Sequence, residues 1–301
     1  MLSDQEEGRD NMESKQRKVI RHPFGDRYTI PAFIVFVAFA FGISELLIGG
    51  IIGGVIGAAI SGGDTTSTAM TVSTEIGTMI GGFMVLAIFW RWFYPEYEGG
   101  LRGGNRIWFW TGIGLLITVA CSAPMLFELD RLGVPPVVSF VGAFMAGLTE
   151  EAIFRGIGAS YLMRQWRDEK KILPVLFLTS VVFAIAHMSN VFSGAPLSSS
   201  IIQTVHSFAI GCVFCALFIR SGNLIPGIIM HTANDIIAFT DVSAMGENGI
   251  TYTGSMTISV FDIVSTLALD AVLVAIALYL TRPSVRAQIL EVWDRKWNRA
   301  Q

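Results

Sequence analysis

The sequence has few charged side chains, and this scarcity decides its class. Asp, Glu, Lys and Arg make up 15% of the 301 residues, whereas an ordinary soluble domain carries about 25%. Hydrophobic residues make up 52%. A chain of this composition has more apolar surface than a water-exposed fold can bury. We therefore predict an integral membrane protein.

Other absences remove whole classes of function. No region is strongly basic and interleaved with aromatic residues, so nucleic acid is not an expected partner. The three cysteines, Cys121, Cys212 and Cys215, include one CxxC spacing without a second pair, which predicts apolar packing rather than a metal site. The chain has no HExxH motif and no Ser or Cys in a nucleophile elbow. Hydrolytic chemistry would therefore have to come from carboxylates and histidines.

Long apolar runs predict an all-α, polytopic membrane helix bundle with about eight transmembrane helices. A run of about 18 or more apolar residues is long enough to cross the hydrocarbon core. The predicted spans are residues 30–51, 72–94, 107–127, 137–163, 172–192, 200–219, 224–239 and 259–281. Lys and Arg collect in the loops on one side of this topology, and the opposite loops contain only Arg131. Because basic residues favour the cytoplasmic side, both termini are predicted to be cytoplasmic.

Two further segments predict how helices pack. Gly49, Gly53 and Gly57 are four residues apart, and such a stripe lets helices approach closely. We expect it to pack within the chain rather than between two copies. Residues 284–299 combine an apolar face with basic residues, which predicts an amphipathic helix on the inner membrane surface.

The fourth predicted span contains three charged residues in one short segment, Glu150, Glu151 and Arg155. Each charge at mid-membrane costs roughly 2.5–3.5 kcal/mol on insertion scales, so such residues indicate a functional site by default. Glu151 and Arg155 are four residues apart and can pair on one helix face. Glu150 is rotated by about 100° from Glu151 and remains available for proton transfer. A purely structural charge network between helices is the alternative.

Two further spans bring polar groups to a comparable depth. His187 lies on the fifth span, and His231, Asn234 and Asp235 lie on the seventh. His231 and Asp235 share a helix face at four residues' separation. Together with Glu150, the two histidines supply a base, a group that orients water and an electrophilic stabiliser. These are the groups needed to add water to a carbonyl, so the site is predicted between spans four, five and seven.

The remaining polar residues of the spans are given a structural role. His206 on span six has only Gln203 as a polar neighbour at helical spacing. Glu45 and Asp270 are deep in their spans and have no partner in sequence, although they could pair with site residues or with each other.

Three motifs in order resemble one family. Residues 150–155 match EExxxR, residues 183–187 match FxxxH, and residues 231–235 match HxxxN/D. In this order on three membrane helices, they resemble the CAAX prenyl endopeptidase and bacteriocin-processing family of intramembrane glutamic proteases. The motifs extend over roughly residues 140–240.

The resemblance implies a role for each matched residue. Glu150 would activate the attacking water, and His187 would hold and polarise it. His231 and the residue at position 235 would form the oxyanion hole. Glu151 and Arg155 would shape and neutralise the site. The family implies catalysis without a cofactor.

The Asp at position 235 departs from the Asn that is common in prenyl-processing members. An ionised aspartate would repel an oxyanion. Three explanations are open: Asp235 is protonated by burial, it orients His231, or the neighbouring Asn234 donates the hydrogen bond instead.

The resemblance completes the domain prediction. It comprises a cytoplasmic polar tail (1–29), N-terminal transmembrane helices (30–130), a catalytic core (131–240), an external loop with the last transmembrane helix (241–281), and a basic cytoplasmic tail (282–301). The predicted partners are the lipid bilayer and a membrane-associated peptide or protein substrate, in the plasma membrane of a prokaryote. The sequence assigns no oligomeric state and does not say whether the substrate is prenylated.

Three alternative functions are open for this chain, and two of them use the same residues. A zinc-dependent membrane protease would place the metal at Glu150, His187 and His231. A proton-coupled transporter would use them as a proton relay, although no inverted repeat is evident. A non-catalytic, immunity-type membrane protein would keep the fold alone.

Overall fold

The computed structural model describes residues 22–64, 67–122, 137–238 and 260–297, and it is a bundle of helices with no strand in those ranges. The predicted all-α class is confirmed. The helices are α1 (Pro23–Arg27), α2 (Thr29–Ser61), α3 (Thr68–Phe93), α4 (Ile107–Ser122), α5 (137–165), α6 (Glu169–Phe192), α7 (Leu197–Ser221), α8 (Ile225–Ala238), α9 (Val260–Leu280) and α10 (Pro283–Trp297). The predicted external loop before α9 and most of the polar N-terminal tail lie outside the described residues.

Five described helices, α2, α3, α6, α7 and α9, are long and apolar enough to cross a membrane. Helix α4 is apolar but shorter. Helix α5 carries charges at its centre, and α8 has only 14 residues, so neither resembles an ordinary lipid-facing span. The count of eight spans stays a prediction.

Helix α7 is the central helix of the bundle. It contacts α4, α5, α6, α8, α9 and α10, and its residues 209–219 are all buried. A helical segment that is apolar on every side belongs in the interior of a bundle. The surrounding helices therefore fix the position of α7, and α7 in turn supports the charged centre of α5.

The glycine stripe on α2 packs against α3, as the sequence analysis expected. A Cβ atom at Gly53 would lie 2.6 Å from the carbonyl oxygen of Ser73, and one at Gly57 would lie 2.7 Å from Cα of Met70. Gly77 on α3 approaches the backbone of α2 in the same way. The small residues thus allow direct backbone contact between two helices that otherwise present apolar side chains to lipid.

Replacing Gly53 with alanine is expected to lower the free energy of unfolding by about 1–3 kcal/mol, because the added methyl group overpacks a backbone contact. Gly42→Ala on the same helix is the matched control, since a Cβ atom there meets nothing within 4 Å. Thermal unfolding in detergent compares the two variants. Equal melting temperatures for Gly53→Ala and Gly42→Ala would contradict this account of the α2–α3 contact.

Helix α10 packs against the protein, and the expected surface helix is corrected in this respect. Its apolar face is buried, through Val285, Ile289, Val292, Trp293 and Trp297. Trp293 donates a hydrogen bond from Nε1 to the carbonyl oxygen of Ile219 on α7 at 3.0 Å. The amphipathic pattern was read correctly as a helix, but its apolar face is covered by protein instead of lipid.

A buried lysine fastens α10 to the segment between α3 and α4. Lys296 donates hydrogen bonds from Nζ to the carbonyl oxygens of Gly99, at 2.9 Å, and Arg102. Its Nζ also lies 3.5 Å from Oε2 of Glu98. Burial lowers the pKa of the Lys296 ammonium from its usual value.

The short helix α1 is held by an ionic network at the end of α5. Arg164 contacts Oδ1 of Asp26 at 2.8 Å and Oε1 of Glu96 at 3.1 Å. Burial alone would raise the pKa of Asp26, but hydrogen bonds from Arg164, the His22 backbone and Gln165 outweigh it and lower that pKa. The segment that precedes the first span is therefore attached to α5.

Candidate active site

The Glu151–Arg155 pair lies at the centre of α5, where both side chains are 0% exposed. Arg155 donates from Nη1 to Oε1 of Glu151 at 2.8 Å, as the four-residue spacing predicted. It also donates from Nη2 to the carbonyl oxygen of Gly211 on α7 at 2.9 Å. A buried arginine needs such partners, because an unpaired charge in an apolar interior is strongly disfavoured. The pair therefore joins α5 to the central helix.

Aromatic rings and a glycine complete the surroundings of this pair. The guanidinium carbon of Arg155 lies 4.3 Å from the ring centroid of Phe183 and 5.3 Å from that of Phe214. Ring faces attract cations more strongly where water is absent. A Cβ atom at Gly227 would lie 2.6 Å from Oε2 of Glu151, so only glycine on α8 leaves space for this carboxylate.

The helix is widened at this point. Residues Glu151–Ala159 have wide π-type turns, which are frequent at functional sites. Glu150 is the last residue before the widened segment. The two adjacent carboxylates consequently point into different environments: Glu151 is fully buried, and the side chain of Glu150 is 25% exposed.

His231 on α8 connects the buried pair to the cavity-lining carboxylates Glu150 and Asp235. Its Nδ1 lies 3.2 Å from Oε1 of Glu151. Because a carboxylate accepts, Nδ1 is the donor in this hydrogen bond. Its Nε2 lies 3.6 Å from Oε2 of Glu150 and 3.6 Å from Oδ2 of Asp235. The ring stacks on Phe214 with a centroid separation of 4.7 Å.

Glu150 retains an unused hydrogen-bonding atom. Its Oε2 is buried and has no hydrogen-bond partner among the described residues. A carboxylate oxygen in this condition incurs a desolvation cost that a bound water or substrate proton would remove. Such an atom can accept a hydrogen bond or a proton from a ligand.

His187 is oriented by its own helix. Its Nδ1 lies 3.0 Å from the carbonyl oxygen of Phe183. Because a carbonyl oxygen can only accept, Nδ1 carries the proton, and Nε2 of the neutral ring is an acceptor. The ring also makes an edge contact with Phe183. His187 is thus fixed with a defined tautomer.

The predicted residues from three helices line one cavity of about 620 Å³. The cavity wall includes Glu150, His187, His231, Asn234 and Asp235. Glu151 and Arg155 lie behind this wall and do not line it. The structure therefore brings the candidate residues together in two layers, with one layer exposed to a ligand and one layer buried beneath it.

Five polar residues to which the sequence assigns a structural role or none also belong to this region. Asn190 donates from Nδ2 to Oε1 of Gln203 at 2.8 Å. His206 contacts Oδ1 of Asp270 with Nδ1 at 2.7 Å. Asn190, Gln203 and His206 line the cavity, as does Glu45 from α2. The three-residue spacing of Gln203 and His206 predicts that they share a helix face. Asp270 is 64 residues from His206, so spacing could not predict their contact.

The comparison with protein families identifies the region that supplies most of the residues around this cavity. Residues 133–237 match the family model of the type II CAAX prenyl endopeptidases, Rce1-like. The chain carries an Rce1-like CAAX endopeptidase domain. No curated protein and no solved structure gives a significant match to the chain.

The Rce1-like domain contains every residue of the three motifs. Its range includes Glu150, Glu151, Arg155, His187 and His231, and it ends just after Asp235. Family membership of this region supports a CAAX-type membrane protease, which is a peptide hydrolase. Together with the five long apolar helices, it indicates an integral membrane protein.

Proposed function

We propose that the protein is an intramembrane endopeptidase in which Glu150 activates a water molecule to hydrolyse a peptide bond. The observation that carries this proposal is Oε2 of Glu150, which has no hydrogen-bond partner among the described residues and lies 3.6 Å from Nε2 of His231 in the cavity wall. The Rce1-like match supports the reaction class. The proposed substrate is the C-terminal region of a membrane-associated peptide or protein.

Water activation uses Glu150 and His187. The water donates one proton to Glu150 and a hydrogen bond to Nε2 of His187, so that a lone pair of its oxygen faces the scissile carbonyl carbon. The new C–O bond forms as the proton passes to Glu150. When the tetrahedral intermediate collapses, the C–N bond breaks and Glu150 returns the proton to the leaving amine. Such proton transfer contributes about 10²–10⁴-fold to the rate.

Oxyanion stabilisation is assigned to His231 with its neighbours. Donation from Nε2 while Nδ1 donates to Glu151 requires the imidazolium form of the ring. The 3.6 Å separation between Nε2 and Asp235 supports the role of Asp235 in orienting that ring. Asn234 also lines the cavity and supplies a neutral donor, which an oxyanion prefers to a carboxylate.

Glu151 and Arg155 are assigned to positioning and neutralisation. Oε1 of Glu151 accepts from both Arg155 and His231, at 2.8 Å and 3.2 Å. This shared acceptor fixes the ring orientation of His231. Arg155 balances the carboxylate charge without lining the cavity.

The zinc alternative would need Glu150, His187 and His231 to converge on one point. In the described ranges, no three His, Cys, Asp or Glu side chains are grouped as metal ligands. Metal content decides between the zinc alternative and the metal-free proposal.

We expect the protein in lipid nanodiscs to cleave a farnesylated peptide that ends in a CAAX sequence. The activity should persist after dialysis against a chelator. Product formation is followed by mass spectrometry, with metal content measured in parallel. Loss of cleavage on chelation, with recovery on adding Zn²⁺, would support the zinc alternative instead. The endopeptidase proposal would be contradicted if the protein cleaved neither prenylated nor unprenylated peptides, with or without Zn²⁺.

A further inference from the structure

One face of α7 forms a polar wall of the cavity that the proposed mechanism does not use. Gln203, His206, Ser207 and Ile210 line the cavity at spacings of three, four and seven residues. These spacings place their side chains on one side of the helix. Polar residues on a membrane helix that face a cavity indicate a ligand for that surface.

The Asn190–Gln203 pair offers one donor and one acceptor to the cavity. One amide donates to the other at 2.8 Å, which leaves the carbonyl oxygen of Asn190 and the amino group of Gln203 available. If both amides are rotated, the roles exchange and one donor and one acceptor still remain. A peptide unit carries the complementary N–H and C=O groups.

His206 adds an oriented ring to the same wall. Its Nδ1 is bound to Asp270, which does not line the cavity. The remaining ring nitrogen, Nε2, is therefore the hydrogen-bonding atom of His206 for a ligand. Asp270 is 8% exposed and His206 31% exposed, so the carboxylate lies behind the ring.

The wall lies at the level of the candidate base. The side chain of Arg155 contacts the carbonyl of Gly211, which joins α5 to α7 at one depth. Glu150 precedes Arg155 by five residues, and His206 precedes Gly211 by five residues. Both side chains line the same cavity, each on the N-terminal side of that contact in its own helix. Gln203 is one further turn along.

We propose that Asn190, Gln203 and His206 form a subsite that hydrogen-bonds the main chain of the substrate beside the scissile bond. The proposal rests on the endopeptidase function. An extended peptide in a membrane has N–H and C=O groups that water cannot satisfy, so the protein must supply partners. Neutral amides provide them without burying a further charge.

The charges around the cavity favour a neutral ligand group over an anion. Glu45, Glu150 and Asp235 line the same cavity, and Asp270 lies behind His206. A substrate carboxylate at this wall would share the cavity with the carboxyl groups of Glu45, Glu150 and Asp235 and would be repelled by those that are ionised. A peptide unit avoids that repulsion while satisfying both amides.

Binding is measured separately from cleavage by using full-length Glu150→Ala in nanodiscs with a dansyl-labelled, farnesylated CAAX peptide. In this background, Gln203→Met is expected to weaken binding about tenfold, since a hydrogen bond to a buried peptide group is lost. Val205→Ala, on the lipid-facing side of α7, is the matched control and is expected to bind normally. Thermal unfolding confirms that each variant is folded, and Asn190→Leu is the second test if Gln203→Met unfolds.

Ester substitution in the peptide identifies the contact. Replacing one amide by an ester removes its N–H and weakens its C=O as an acceptor, so binding should fall at one position of the peptide when Gln203 is present. In Gln203→Met, the ester at that position should no longer weaken binding. Equal affinities in Gln203→Met and Val205→Ala, or unchanged sensitivity to the ester, would overturn the subsite but leave the hydrolase intact. If the peptide does not bind to Glu150→Ala, the subsite and its proposed substrate class are both overturned. The proposed hydrolase function is tested separately, by cleavage with the protein that retains Glu150.

Discussion

Glu150→Ala is expected to reduce peptide hydrolysis by at least about a hundredfold while the protein remains folded in the membrane. General-base catalysis contributes about 10²–10⁴-fold, and alanine retains no group that could accept the proton of the water. Stability should be unchanged or increased, because Oε2 of Glu150 is buried without a hydrogen-bond partner in the described part of the chain. Single-turnover cleavage and thermal unfolding, measured on the same preparation, test both statements.

The matched control for this change is Glu75→Gln on α3. Glu75 is also a carboxylate within a candidate span, but it does not line the cavity. We expect Glu75→Gln to retain most of the hydrolytic activity. Full activity of Glu150→Ala would exclude Glu150 as the base, and equal losses in the two variants would indicate a general charge effect instead.

The same comparison can be made without a defined substrate. Membranes from cells that produce the active protein should contain peptide products that are missing from cells that produce Glu150→Ala. Mass spectrometry of these membranes would reveal the cleavage position and show whether the substrate carries a prenyl group. Identical peptide profiles would contradict the proposed activity in those cells.

Local spacing was sufficient to predict one half of the site. The four-residue separation of Glu151 and Arg155 led directly to the observed 2.8 Å contact, because helix geometry places such residues on one face. The same rule placed His231 beside Asp235. It also explains why Glu150, one residue away, is left outside the buried pair.

Contacts between distant helices could not be read from spacing. The Glu151–His231 contact joins residues 80 positions apart, and the His206–Asp270 contact joins residues 64 positions apart. Each depends on how the helices rotate and cross, which the periodicity of a single helix does not determine. His206 was consequently assigned a structural role, although it lines the cavity.

Composition likewise predicted the class better than the details. The apolar runs identified the helices, but α5 and α8 depart from simple spans because they contain the site. The basic, amphipathic C-terminal segment was assigned to the membrane surface, yet α10 is covered by Tyr97 and α7. Hydrophobic periodicity shows that a face will be buried, whereas the identity of the covering surface depends on tertiary packing.

Replacing Arg155 with methionine is expected to lower the free energy of unfolding by about 3–5 kcal/mol, because it leaves Glu151 as an uncompensated buried carboxylate. Cleavage should fall as well, since Glu151 positions His231. The unfolding of full-length protein in detergent measures the first effect. Wild-type stability in Arg155→Met would contradict the view that this pair joins α5 to α7.

Two double variants separate charge pairing from the positioning of His231. Glu151→Gln/Arg155→Met and Glu151→Leu/Arg155→Met both remove the buried charges, so both should recover stability relative to Arg155→Met. Only glutamine retains an oxygen that can accept from Nδ1 of His231. The glutamine variant should therefore hydrolyse peptide faster than the leucine variant at similar stability. Equal rates in the two double variants would show that Glu151 acts through its charge alone and does not position His231.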